Sequence, residues 1–342
     1  MCKGMRYLIL TLVGIALTVG VGQASTHEFF RAKVIRIVVG FGTGGGFDIY
    51  ARLVARHMGK HLPGNPTVIV DNMPGAAGLV AANHLYKVAK SDGLTIGNFT
   101  GGLMMGQVLG RPGIEFDAQK FEYVGVPLTD AQVCILANRS GITGMEKWMA
   151  SRAPMRLGGL GPGTAPSDVP KILKIALDLP MRLVEGYKSV ADVRLAIDSG
   201  EIDGICGTSL QAAQTVWIKG IESGELAIVL QMVPQAHPEI PKVPLAIDFA
   251  KTDEGRQLIQ VGIHDMARTN RLYVLPPGTP KDRVGIMRRA FMDTLKDPEF
   301  RADAKKSKQD VDPVAGEEVE RTVARFFNLS PALVAKLKEV LK

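Results

Sequence analysis

The sequence predicts an α/β protein folded as two lobes, and three observations carry that prediction. Short β-branched runs alternate with helix-patterned segments, the signature of strand–helix units and of largely parallel sheets. With 342 residues the chain exceeds what one hydrophobic core usually serves. The chain also uses one local design twice: a strand, a glycine-rich turn and a helix with an early Asp, as GFGTGGGFD at 40–48 and GGLGPGTAPSD at 158–168.

Taken in order, IRIVV (35–39) is an apolar β-branched strand, and the glycines after it lead into a helix over 49–61. TVIVDN (67–72) is the next strand, followed by PGAAG and a helix over 79–89. LTIGNFT (94–100) is the third strand, and FEYVGVPL (121–128) and AQVCILANR (131–139) bring the chain to a second set. There MRLGGLG (155–161) precedes a helix over 168–177, and MRLVEGY (181–187) precedes one over 189–199. IDGICG (202–207), LAIVLQM (226–232) and RLYVLPP (271–277) are further strands. A helix over 281–296 and a terminal helix over 331–341 close the chain.

The first 24 residues read as a secretory signal peptide. Lys3 and Arg6 form a basic start, residues 7–21 are uncharged and mostly apolar, and Gly22 and Ala24 supply the small residues of a cut before Ser25. The apolar run is shorter than the ~20 residues a spanning helix needs. Cys2 precedes that run, so it is not a lipid-anchored cysteine after cleavage. Removing these 24 residues, with Lys3 and Arg6, leaves 318 of the chain's 342 residues and takes the formal charge from +7 to +5. Apart from KKSK at 305–308 the basic residues are dispersed, which indicates a solvated surface rather than a nucleic-acid face and at most a mild bias toward acidic ligands. Cys134 and Cys206 lie in apolar strands and read as two buried thiols, with a disulfide as the alternative in an oxidising compartment. There is no CxxC or HExxH, and no metal site is expected.

The glycine turns carry the chemistry. Without side chains the backbone approaches a ligand closely, and a helix start offers unpaired N–H groups, so strand, glycine turn and helix together make an anion cradle. Two such turns, facing each other beyond the carboxyl ends of their strands, would suit a clamshell binding protein. Asp48 and Asp168 stand where each helix begins and read as N-caps. GFGTGG also matches GxGxxG, and Asp71 stands 26 residues past Gly45, so a nicotinamide-dependent enzyme is an alternative. GxSxG and GxxxxGK[ST] are absent, no carboxylate pair is marked for acid–base work, and no cofactor is expected.

The segments IRIVVGFGTGGGFDIYARLVARHM, VIVDNMPGAAGLVAANHLYKVAKSDGLTIG, GLGPGTAPSDVPKIL, GYKSVADVRLAIDSGEID and LYVLPPGTPKDRVGIMRRAFMDTLKDPEF together resemble the Bug (TctC-like) family over nearly the whole mature chain. These are extracytoplasmic substrate-binding receptors of tripartite tricarboxylate transporters. The resemblance implies a two-lobed, type II-like Venus-flytrap fold, a small-carboxylate ligand, a periplasmic monomer and membrane permease partners. It places the binding site on Phe41, Gly44, Gly45, Gly46 and Asp48; on Asn98, Thr100, Gly101 and Gly102; on Gly161, Gly163, Thr164 and Ala165; and on Tyr187 of a YKG-like segment (Tyr187, Lys188, Ser189) and Asp203. Thr100 and Thr164 would orient a carboxylate. Asp203 would receive a ligand amine or hydroxyl, or pair within the protein.

Lobe one is expected over 33–126 and 235–342 and lobe two over 127–234, with crossings near Val126 and Pro234. Gly42 and Thr43 replace prolines common in the family, which implies a more mobile loop, and Cys206 and Gly207 replace an Asp or Asn pair, which points to a ligand less polar than citrate or a dicarboxylate. The same lobes could instead present ligand to a membrane kinase, and gene neighbourhood separates that reading from transport.

Overall fold

The computed structural model describes residues 28–161, 163–187 and 189–341. The signal peptide expected over 1–24 lies outside them. Among the described residues no helix is long and apolar enough to cross a membrane.

Eleven strands form two sheets among the described residues. The first sheet contains β1 (Val34–Val39), β2 (Thr67–Asn72), β3 (Thr95–Phe99), β4 (Glu122–Val126), β10 (Leu272–Leu275) and β11 (Val314–Ala315), in the order β11-β4-β10-β3-β1-β2. The second contains β5 (Gln132–Ala137), β6 (Met155–Gly158), β7 (Met181–Val184), β8 (Gly204–Ser209) and β9 (Leu226–Met232), in the order β7-β6-β8-β5-β9. The α/β class and its two lobes follow from that division. The sheets are mixed rather than largely parallel. β1 runs parallel to β2 and β3, and β6 parallel to β7 and β8, where helices make the crossovers. β10 and β5 enter antiparallel to both their neighbours because each follows an interlobe crossing rather than a βα unit.

Burial follows from strand position. Ile35, Ile37 and Val39 of β1 are fully buried on one face, against helix Gly46–Met58 and helix Lys281–Lys296. Every residue of β4 and β5 is buried, as expected for strands covered on both faces. Trp217 anchors the outer face of the second sheet with Ile197 and Ile205. A third cluster is continuous between the lobes, running from Phe99 and Met104 through Ile172 and Leu258 to Leu337.

Past Pro234 the chain stays against the second sheet and its helix before it rejoins the first sheet. The Gln231 N–H donates to the Pro244 carbonyl at 2.9 Å, and helix Asp253–Ile259 packs on helix Ala165–Leu177 of the second lobe. The chain rejoins the first sheet only at Leu272. Cys134 and Cys206 are not two thiols but a disulfide, their Cα atoms 4.0 Å apart across the antiparallel β5–β8 pair. Finally, neither Asp48 nor Asp168 is an N-cap: those positions belong to Gly45 and Thr164.

Candidate functional site

The first glycine turn is held from behind by Asp48. This side chain, 3% exposed, sits in the first turn of its helix and accepts hydrogen bonds from the Gly44 N–H, Arg52 Nε and Asn72 Nδ2, each at 2.9 Å. Burial alone would raise its pKa, but the bonds from Arg52, Gly44 and Asn72 outweigh burial and hold the carboxyl below its usual range. Asn72 Nδ2 also donates to the Phe41 carbonyl at 3.0 Å, so the end of β2 fixes the turn. The turn presents two stacked rings, Phe41 and Phe47, with centroids 4.1 Å apart.

The second turn repeats this construction. Asp168, in the first turn of helix Ala165–Leu177, accepts from the Gly163 N–H at 3.0 Å. Ser167 Oγ accepts from the Gly161 N–H at 2.8 Å, and the Thr164 hydroxyl donates to the Gly161 carbonyl at 2.7 Å. In each lobe, then, the Asp reaches back to the glycine N–H just ahead of the N-cap. The helix amides stay open: those of Gly46, Phe47 and Ala165 have no acceptor among the described residues, and Pro166 has none to offer. β8 approaches this helix start closely. Gly207 has φ +78°, and a Cβ there would lie 2.3 Å from the Ala165 carbonyl oxygen, so the Asp or Asn of the resembled family has no room.

The turn after β3 is tied to the interlobe region. Asn98 is fully buried and donates to the Leu272 carbonyl at 3.1 Å. Thr100 Oγ1 donates to Asn270 Oδ1 and accepts from the Gly102 N–H, both at 3.2 Å, and the Gly101 N–H donates to the Thr269 carbonyl at 2.9 Å.

A cavity of about 260 Å³ lies between these turns. Of the site residues expected from sequence, Phe41, Thr100 and Gly102 from the first lobe and Gly163, Thr164 and Ala165 from the second line it together. Gly44, Gly45, Gly46, Asp48, Asn98, Gly101 and Gly161 do not line it, although several support residues that do. Two expected residues are engaged elsewhere. The Tyr187 hydroxyl donates to Glu201 Oε1 at 2.7 Å, and burial followed by Glu201 pushes its pKa up to about 12. Asp203 accepts from the Arg156 backbone N–H at 2.9 Å and from its guanidinium at 3.0 and 2.7 Å. Those bonds outweigh burial and lower its pKa. Lys188 is outside the described residues.

The sequence reading missed Arg111, Gln132, Asn270 and an apolar wall that includes Met105, Met266, Leu337 and Leu341. Arg111 follows helix Gly102–Val108 in a turn reading RPG, which carries no binding signal. Its guanidinium reaches across to the second lobe, where a Cβ on Gly163 would lie 3.3 Å from Nη1. Arg111 has no ion pair among the described residues. It and Asp168 are the charged side chains lining the cavity. Burial pushes the Asp168 pKa up, opposed by the Gly163 N–H and then by Arg111.

Elsewhere, among the described residues, one grouping of His57, Asp297 and Glu299 has metal-binding reach, but the Lys60 ammonium already sits 2.9 Å from Asp297. Asp71, the acid of the dinucleotide alternative, is paired with Arg36 across β1 and β2.

The family profile described as "Tripartite tricarboxylate transporter family receptor" (TctC) matches residues 50–337. The chain belongs to the TctC family. It is 26% identical over 313 residues to a UPF0065 protein of Bordetella bronchiseptica, covering 87% of this chain and 84% of the relative. Among solved structures it resembles a TctC solute-binding protein from Polaromonas (TM-score 0.71, 19% identity, covering 90% of this chain and 98% of that one). It also resembles an R. palustris protein solved with adipate (TM-score 0.63, 19% identity, 90% and 97%). At these identities the structural likeness shows the fold, a two-lobed periplasmic binding protein.

Proposed function

We propose that this TctC-family chain captures a small organic acid in the interlobe cavity and delivers it to the membrane permease of a tripartite tricarboxylate transporter. It would act as a periplasmic monomer after loss of residues 1–24. The observation that carries the reading is Arg111: among the described residues, a guanidinium without an ion pair and the one cation lining a cavity to which both lobes contribute. A carboxylate there gains charge-assisted bonds from Arg111 and faces the open amides of Phe47 and Ala165. The adipate held by the R. palustris relative is a precedent for an acid in this fold.

Because donors come from both lobes, the ligand favours the closed arrangement, and closure would create the surface a permease reads. No bond is made or broken, so the role is binding rather than catalysis. The lobes would be 33–126 with the C-terminal part, and 127 to about the 260s, the second extended by the packing of 244–259.

The test is calorimetric titration of the receptor with a panel of organic acids, before and after Arg111→Gln. Losing a charge-assisted bond of about 1.5–3 kcal/mol should weaken an acid that binds the wild type at least tenfold. Equal affinity in both proteins would refute the assignment.

A further inference from the structure

The cavity's charges are few and opposite in sign. Arg111 and Asp168 both flank Gly163: its N–H is 3.0 Å from Asp168 Oδ1, and a Cβ on it would be 3.3 Å from Arg111 Nη1. Yet they are not an ion pair, and neither forms one with any other described residue; nearby Lys171 and Glu185 pair with each other at 3.6 Å. Two adjacent, opposite, mutually unpaired charges are a receptor for a ligand head carrying both signs.

We propose that the ligand is an α-amino acid with an apolar side chain, its carboxylate on Arg111 and its ammonium on Asp168; this rests on the receptor reading above.

Three features support this choice. A zwitterionic head matches both charges and leaves the cavity neutral. A di- or tricarboxylate would bring a second negative charge to a site with one cation and one carboxylate, and an unpaired charge in apolar surroundings is costly. Second, Gln132 is 6% exposed and lines the cavity, and its buried Oε1 has no partner, so an acceptor beside Asp168's lobe waits for a donor such as an ammonium or a bound water. Third, much of the remaining wall is apolar: Met105, Val169, Met266, Leu337 and Leu341 line the cavity together with the stacked Phe41 and Phe47, beside Thr100, Thr164 and Asn270. That wall gives a hydrocarbon side chain extensive contact. Burial pushes the Asp168 pKa up, against the Gly163 N–H, Arg111 and Lys171.

The experiment is a calorimetric titration with L-leucine, L-phenylalanine, 4-methylpentanoate (leucine without its amine), adipate and citrate, against wild type, Asp168→Asn and Arg111→Gln. Asn keeps an oxygen for the Gly163 N–H. We expect leucine or phenylalanine to bind the wild type at least about tenfold tighter than 4-methylpentanoate. Asp168→Asn should shrink that ratio to within about twofold, and Arg111→Gln should weaken all three. If adipate or citrate binds tighter than the amino acids, or if 4-methylpentanoate matches leucine, the amino-acid assignment is overturned while the receptor reading stands. If no acid binds, both fall.

Discussion

Arg271 Nη1 lies 2.6 Å from Asp130 Oδ1, joining the segment that leaves the first sheet after β4 to the segment that returns to it at β10. The two interlobe crossings are thereby tied together beside the cavity. The guanidinium stacks over Tyr50 at 5.2 Å and Phe47 at 5.6 Å, and Asn270, which bonds Thr100, also donates to Asp130. Burial would lower the Arg271 pKa, but Asp130 more than offsets this and keeps the group charged.

Breaking that pair leaves a buried charge uncompensated. Asp130→Ala should cost about 3–5 kcal/mol of folding stability, read by urea denaturation. A loss below about 1 kcal/mol would mean the pair is solvated and not a hinge clamp.

The Cys134–Cys206 bond closes a loop of sequence separation 72 within the second lobe. By chain entropy alone, replacing both cysteines with alanine should lower stability by up to about 4 kcal/mol. The ligand cavity would remain, because neither sulfur lines it. Thermal unfolding with and without a reductant should show the same loss in the wild type.

Gly207→Ala places a Cβ against the Ala165 carbonyl at a φ that L-residues rarely adopt. We expect a loss of about 2 kcal/mol, together with weaker acid binding, because the displaced group is the helix start that offers the Ala165 amide. Unchanged affinity and stability would show that β8 and the helix can separate freely.

Asp48 gives a pH dependence with a definite sign. Its folded pKa lies below the unfolded value near 3.9, so its stabilisation is present at neutral pH and is lost as pH falls through the carboxylate range. Midpoints of thermal unfolding measured from pH 7 down to 3 should decline less steeply at the acid end in Asp48→Asn than in the wild type. Parallel curves would place the acid sensitivity elsewhere.

What could be read from the chain followed from local physics. Ile35, Ile37 and Val39 announce a strand by their alternation, and the glycines after them announce a turn, so the α/β class and both cradles were legible. The special role of Asp48 was visible in part: its place at a helix start was clear, but its backward bond to Gly44 depends on Asn72, from another strand. Arg111 was illegible because its meaning depends on Gly163 coming within reach from the other lobe. Leu337 reads as an ordinary helix residue until the terminal helix is seen against helix Ala165–Leu177. For Asp203 the sequence left a ligand role and an internal pair equally open, because it does not show that Arg156, on the neighbouring strand, holds the carboxylate.

The most direct measurement is equilibrium binding of the acid panel to the wild type and to Arg111→Gln, with unfolding midpoints of both proteins without ligand as a control. The account predicts at least one small acid bound by the wild type, tenfold or greater weakening in the variant, and nearly equal midpoints. An acid that binds both proteins equally well would contradict the claim that the interlobe cavity recognises its ligand through Arg111.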